Sequence, residues 1–266
     1  MTNTPTNTRV FRSILITGAS GGIGMALAAY YAAPHCTLIL WGRNPQRLEE
    51  ISMRCRACGA QVVTREIDLQ NGQAALAAYA EDDQAHTPDL VILGAGLADI
   101  QGHDSLTEDP EKVFELASVN YATPISMATA AARAMITRQG GQIVLIGSVA
   151  GFYELPFAAA YSSSKAGLAF FAKAARLAWQ RYGVFVTLIA PGFVDTAMSQ
   201  RLESPRPFLV SPRDAARIIA RAIAERQAEC VFPSPFKVLN VLMCFMPKTW
   251  REYILLRLAV GQKGRE

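Results

Sequence analysis

The chain has 266 residues, of which 51% are hydrophobic and 18% charged, and a formal net charge of +4. That length suits one well-buried α/β domain, and the composition excludes an intrinsically disordered chain. So small a net charge gives no ground for a nucleic-acid partner, and none is expected.

Residues 1–10 read as a disordered N-terminal segment, and Met1–Thr8 has neither the basic start nor the apolar run of a secretory signal. The expected compartment is therefore cytoplasmic. Beyond it, short apolar runs alternate with longer helix-like segments, which predicts a parallel sheet covered on both faces, a three-layer α/β/α arrangement. Strands are expected at Ser13–Thr17, Thr37–Trp41, Gln61–Glu66, Leu90–Leu93, Gln142–Ile146 and Val184–Ile189. Helices are expected at Gly22–Ala33, Pro45–Cys58, Gln73–Ala80, Pro110–Arg138 (one long helix or two), Tyr161–Arg181 and Ser211–Arg226. Ser211 is the expected N-cap of the last, with Pro212 in its first turn. No linker divides the chain, so a single domain over residues 11–230 is expected, followed by an extension over 231–266.

The five cysteines are scattered, and Cys55-Arg56-Ala57-Cys58 has no second pair or neighbouring histidine to complete a zinc set. The pair reads as ordinary helix-end sequence before Gly59. His35, His86 and His103 are isolated, and no metal site is expected.

Thr17-Gly18-Ala19-Ser20-Gly21-Gly22-Ile23-Gly24 falls directly after an apolar strand and opens an Ala-rich helix. Glycines there allow positive φ and let backbone N–H groups approach a pyrophosphate at the helix N-terminus. The spacing is GxxxGxG, not GxGxxG, and a tight strand–helix connection is the plainer reading of the glycines alone. At the end of the second strand stands Trp41-Gly42-Arg43-Asn44, with no acid for a ribose 2′-hydroxyl. A guanidinium suits a 2′-phosphate, so NADP(H) is favoured over NAD(H), unless Arg43 is simply a solvated loop residue.

Tyr161 and Lys165 are one helical turn apart, and Ser148 follows the fifth strand. A lone Tyr-x-x-x-Lys means little. Here the ammonium is expected to lower the phenol's pKa toward the working pH, so that Tyr161 exchanges a proton with a carbonyl or carbinol oxygen held by Ser148.

These motifs, in this order, resemble the short-chain dehydrogenase/reductase family over about Ser13–Arg226. The resemblance implies a Rossmann-like fold and hydride transfer between a nicotinamide and a carbonyl or secondary alcohol. It implies cofactor contacts from Gly18, Ser20, Gly22, Ile23 and Gly24, an adenine contact from Asp68 and Leu69, and a further contact from Gly96 within Leu93-Gly94-Ala95-Gly96. Leu93 and Gly94 stand where the family carries two asparagines. Pro191, Gly192, Val194 and Thr196 resemble the stretch at the nicotinamide end. Asn120 resembles the helix asparagine that holds a relay water, and Ser148, Tyr161 and Lys165 the catalytic set. Tyr161 and Lys165 are also implied cofactor contacts, Lys165 through the nicotinamide ribose. Relatives commonly form homodimers or homotetramers through the helices bearing Asn120 and Tyr161.

Ala197–Val210 is punctuated by Pro and Ser and reads as a mobile lid. With Phe152, Tyr153, Leu155, Pro156 and Phe157 it suggests an apolar, lipid-like carbonyl or alcohol substrate, although these side chains would equally pack a lid or a subunit interface. From Lys237 onward the chain holds six Lys or Arg against two Glu, so this tail carries the whole net charge. Two short amphipathic helices are expected there. They either make peripheral contact with an anionic membrane surface or cover the pocket or a partner subunit. An NAD(H)-dependent alcohol dehydrogenase and a non-catalytic nucleotide sensor or scaffold are the alternative functions.

Overall fold

The computed structural model describes residues 10–99, 106–202 and 205–257. The expectations for residues 1–9, His103, part of the lid and the last residues of the tail lie outside these.

Seven parallel strands form one sheet in the order β3-β2-β1-β4-β5-β6-β7. They are β1 (Ser13–Thr17), β2 (Thr37–Gly42), β3 (Gln61–Glu66), β4 (Leu90–Leu93), β5 (Gly141–Ile146), β6 (Val184–Pro191) and β7 (Glu229–Phe232). Helices α1 (Gly22–Tyr31), α2 (Pro45–Ala57), α3 (Gly72–His86), α4 (Pro110–Ala117), α5 (Thr123–Thr137), α6 (Ala159–Trp179), α7 (Ala197–Gln200) and α8 (Pro212–Ala224) alternate with them. The chain ends in α9 (Ser234–Phe245) and α10 (Lys248–Arg257). This is the doubly wound, Rossmann-like three-layer fold. Its order reverses between β1 and β4, which opens a crevice at the carboxyl ends of the strands.

The alternation within β1 shows how both faces are covered. Leu15 packs with Ile39, Val91, Leu145 and Leu168 on one face, while Ile14 and Ile16 join Leu38, Ile92, Leu27 and Ile219 on the other. All five residues of β1 are buried, as are the four of β4, which is why these strands read as unbroken apolar runs.

Several boundaries differ from the sequence expectation. The seventh strand straddles residue 230, where the extension was expected to begin; ECVF is a short, half-buried edge strand with little apolar signal. Helix α3 runs on to His86 through Glu81-Asp82-Asp83, because those acids have partners. Asp82, 3% exposed, accepts from Trp41 Nε1 at 2.7 Å and from Arg65 Nη2 at 2.7 Å and Nε at 3.2 Å. The long helix expected over Pro110–Arg138 is two helices joined by a π-turn at Ser118–Ala122. Cys55 is buried near the end of α2, Cys58 is exposed and Gly59 takes φ +87°, the helix-end reading. Ser211 caps α8 by accepting from Asp214 N at 3.1 Å.

Replacing Asp82 by Ala leaves an indole N–H and part of a guanidinium without their acceptor beneath β2. The expected cost is about 2–4 kcal/mol, measured as a lower urea midpoint at unchanged slope.

Candidate active site

Gly18 turns the chain at the end of β1 with φ +72°, and a Cβ there would lie 2.8 Å from the N and Cα of Ala95. Only glycine tolerates both the conformation and the approach. A Cβ on Gly24 would run into the carbonyl oxygen of Gly18, and one on Gly22 into the methyl group of Thr196. Gly21 is the N-cap of α1 and brings no side chain to cap its first-turn amides, which with the helix dipole would suit an anion. Ser20 Oγ lies against Gly42 at the end of β2, where a Cβ would be 2.6 Å away. Ile23 packs partly buried on the apolar cluster beneath. This cradle fits the pyrophosphate of a dinucleotide.

Arg43, at the end of β2, is half exposed, with Nη1 3.8 Å from Glu115 Oε1 of α4. That carboxylate oxygen also accepts from Gln70 Nε2 at 2.7 Å. Asp68 is exposed and accepts from the Gln70 amide at 3.0 Å. Leu69 is a core side chain, 6% exposed, whose carbonyl accepts from Thr123 Oγ1 at 2.8 Å. An adenine can therefore reach Leu69 only through its backbone. Where the family resemblance implied two asparagines, the amides of Gly94 and Ala95 are held instead by Thr17 Oγ1, at 3.1 and 3.2 Å. A Cβ on Gly96 would be 3.3 Å from both Asn120 Oδ1 and Lys165 Nζ, so these three positions converge.

Ser148 follows β5 at the carboxyl edge and caps a 3₁₀ turn, Val149–Phe152, by accepting from Ala150 N at 3.1 Å. Gly151 lets that turn sit directly on α6, since a Cβ there would lie 2.7 Å from the carbonyl carbon of Lys165. Helix α6 presents Tyr161, on the side of Ser148, and Lys165 one turn on. Lys165 is 5% exposed and donates from Nζ to the carbonyl of Ile146, the last residue of β5, at 3.1 Å. Its Nζ is 6.0 Å from the centre of the Tyr161 ring. Burial holds the Lys165 ammonium down at about 8. It raises the Tyr161 phenol above its ordinary range, and the neighbouring Ser148 hydroxyl offsets only part of that. The sequence expectation of a phenol acidified by Lys165 is thus corrected. With the amine turned to Ile146, burial decides, and the phenol keeps its proton at neutral pH.

Asn120 sits in the π-turn, fully buried. Its Oδ1 accepts from Leu97 N at 2.7 Å, while Nδ2 donates to Leu97 O at 2.8 Å and to Ser164 Oγ at 3.3 Å. Both amide protons are used, so the side chain clamps the loop after β4 to α6. Sequence reading implied a water holder and missed this.

It also missed Glu108. The N-cap of α6, Ala158, offers no side-chain acceptor, and both carboxylate oxygens of Glu108 take the Ala160 amide, at 3.2 and 3.1 Å. No local pattern reveals a carboxylate that caps a helix so far along the chain.

At the far wall, Pro191 ends β6 and Gly192 donates its amide to Phe232 O at 2.7 Å. Val194 is buried, pairs with Val210 and accepts from Ser199 Oγ at 2.6 Å; Thr196 and Ser199 form the capping box of α7. The expected lid is therefore pinned at both ends, with Asp195 N to Val210 O and Val210 N to Phe193 O each 2.9 Å. The extension meets this wall. The Phe236 ring fills the space over Gly192 and lies 6.1 Å from Phe193 and 6.0 Å from Phe208, and Arg251 Nη2 reaches Glu154 Oε1 at 3.0 Å.

A family model described as short chain dehydrogenase matches residues 12–207. The chain is 33% identical over 224 residues to an uncharacterized oxidoreductase of Myxococcus xanthus, covering 84% of this chain and 88% of that relative. It is 30% identical over 253 residues to human estradiol 17-beta-dehydrogenase 11, covering 93% and 83%. The crystal structure of a metagenomic short-chain oxidoreductase in complex with NADP is similar with a TM-score of 0.71 and 29% identity, covering 83% of this chain and 96% of that one.

Glu108→Ala should lower kcat about tenfold and stability by about 1 kcal/mol, the size of a lost helix cap. Glu108→Gln, which keeps an acceptor, should restore most of kcat. Both variants should leave the KM for the nicotinamide cofactor within twofold. Steady-state kinetics beside thermal melts separate this split from general unfolding.

Proposed function

Because the chain belongs to the short-chain dehydrogenase family and is an NAD(P)-dependent oxidoreductase acting on CH–OH/C=O groups, we propose that it reduces apolar, lipid-like ketones with NADPH. The observation that carries this reading is the convergence of Ser148, after β5, and Tyr161, on α6, beside the buried Lys165 amine, which lies 6.0 Å from the centre of the Tyr161 ring and is tethered to Ile146 O.

Bound in the crevice, the nicotinamide supplies the hydride. The chain's own part is the oxygen. Ser148 donates a hydrogen bond to the carbonyl and fixes its angle. Tyr161, protonated at neutral pH, gives its proton to the forming alkoxide, and this favours reduction as the working direction. Lys165, mostly charged below about 8, offers a donor to the nicotinamide ribose. Asn120 and Glu108 hold the loop after β4 and the start of α6 in register with it. The half-buried Phe152, Leu155 and Phe157 and the Phe193–Phe208–Phe236 cluster supply apolar wall and support an apolar substrate.

Tyr161→Phe should abolish turnover, leaving less than a few per cent, while fluorescence titration finds NADPH affinity nearly unchanged. Retained turnover would remove Tyr161 from the role of acid.

Arg43 supports NADP(H), through a charge-assisted pair with a 2′-phosphate. A second reading, NAD(H), draws on Glu115: a carboxylate 3.8 Å from that guanidinium opposes a phosphate and suits a ribose hydroxyl. The kcat/KM ratio of NADPH to NADH decides between them. If Arg43 binds the phosphate, Arg43→Ala should cut the ratio at least tenfold and Glu115→Gln should raise it; with NAD(H), neither change lowers use of NADH through a lost phosphate contact.

Phe114 on α4 and Phe170 and Leu177 on α6 are more than 70% exposed, and a homodimer or homotetramer built on these helices would cover them. Among the described residues no helix is long and apolar enough to cross a membrane. A cytoplasmic setting suits the exposed Cys58 thiol.

A further inference from the structure

Helices α9 and α10 carry more apolar surface than folding requires. Their inner faces are already anchored: Met243 and Leu255 are buried, and Phe236 packs on Phe193 and Phe208. Yet α9 also exposes Val238, Leu242 and Phe245, spaced to form one stripe along the helix, with Phe245 85% exposed. On α10, Trp250, Tyr253 and Ile254 form a second stripe, with Trp250 69% exposed. Singly exposed apolar residues are ordinary. Two consecutive helices that are apolar on both faces are not.

Charge points to the occupant. Between residues 234 and 257, Lys237, Lys248 and Arg257 stand against Glu252, while Arg251 is paired with Glu154 of the body. From Lys237 onward the chain carries its entire net positive charge. Two copies meeting through this face would bring those charges together, whereas an anionic lipid surface would neutralise them and bury the aromatic and aliphatic side chains. We propose that α9 and α10 dock the protein on an anionic membrane surface, lying on the bilayer, since neither helix is long and apolar enough to cross one. Phe236 and Arg251 fix these helices to Gly192 and Glu154, so the docked face adjoins the substrate side of the crevice. An apolar ketone dissolved in the lipid then has a short path to Ser148 and Tyr161.

The test is sedimentation of the full chain with vesicles of phosphatidylcholine, with or without phosphatidylserine, at low and high salt. Binding to the phosphatidylserine vesicles should be at least tenfold tighter and should weaken with salt. Leu242→Glu combined with Phe245→Glu should reduce it at least tenfold. So should Lys237→Glu combined with Lys248→Glu, which leaves every apolar side chain in place and guards against a folding defect in the first pair. Turnover of a water-soluble ketone without vesicles should remain within twofold in both, which separates failure of docking from failure of the proposed reaction. Sedimentation of neither the wild type nor the variants overturns the proposal, as does equal sedimentation of all three. A wild type that ignores vesicles, with a Leu242→Glu/Phe245→Glu variant of smaller mass by light scattering, overturns it in favour of a subunit contact.

Discussion

One carboxamide holds the reactive edge of the sheet together. The buried Asn120 side chain closes on both backbone polar groups of Leu97 and reaches Ser164 on α6. It thereby ties three pieces of chain that no strand or helix connects: the loop leaving β4, the π-turn between α4 and α5, and α6. A buried peptide group needs its partners, and here a single side chain provides them at the point where Gly96, Lys165 and Asn120 itself crowd together. The π-turn matters for the same reason. Its extra residue breaks the ordinary helical phase where Asn120 must turn inward.

Around that clamp, α6 is fixed by contacts of different kinds at successive positions. Its first turn is capped from outside by Glu108, its Lys165 amine is tethered to the end of β5, and its backbone is met by the turn carrying Gly151. Ser148 and Tyr161 therefore face one another as the outcome of strand register and helix placement. Burial then sets the protonation states. It favours an uncharged phenol and a less basic amine, and both directions suit proton delivery to a substrate oxygen.

The sheet, and the placing of Ser148, Tyr161 and Lys165 at one edge of it, were legible in the sequence because each rests on local signals. Buried parallel strands leave continuous apolar runs, the glycine turn follows a strand, and Tyr161 and Lys165 share a helical face. What escaped depends on partners distant in the chain. Strand β7 is four half-polar residues that become a strand only through pairing with β6. The acids that end α3 look like a loop until Trp41 and Arg65 are seen to take Asp82. Leu93 and Gly94 stand where the family carries two asparagines, and the sequence does not show that the hydroxyl of Thr17, one strand away, takes up the amides of Gly94 and Ala95. Lys165 beside Tyr161 suggested an acidified phenol because sequence shows the spacing but neither the burial nor the carbonyl of Ile146 that claims the amine.

The missing side chain at position 22 has an evolutionary consequence. The methyl group of Thr196 occupies the volume that any larger residue there would need. The glycine turn after β1 and the N-cap of α7 are thus fitted to each other as a lock plate is to its bolt. Drift at either place is constrained by the other, so a lineage that reshapes the start of α7 must preserve that small notch or rebuild both together.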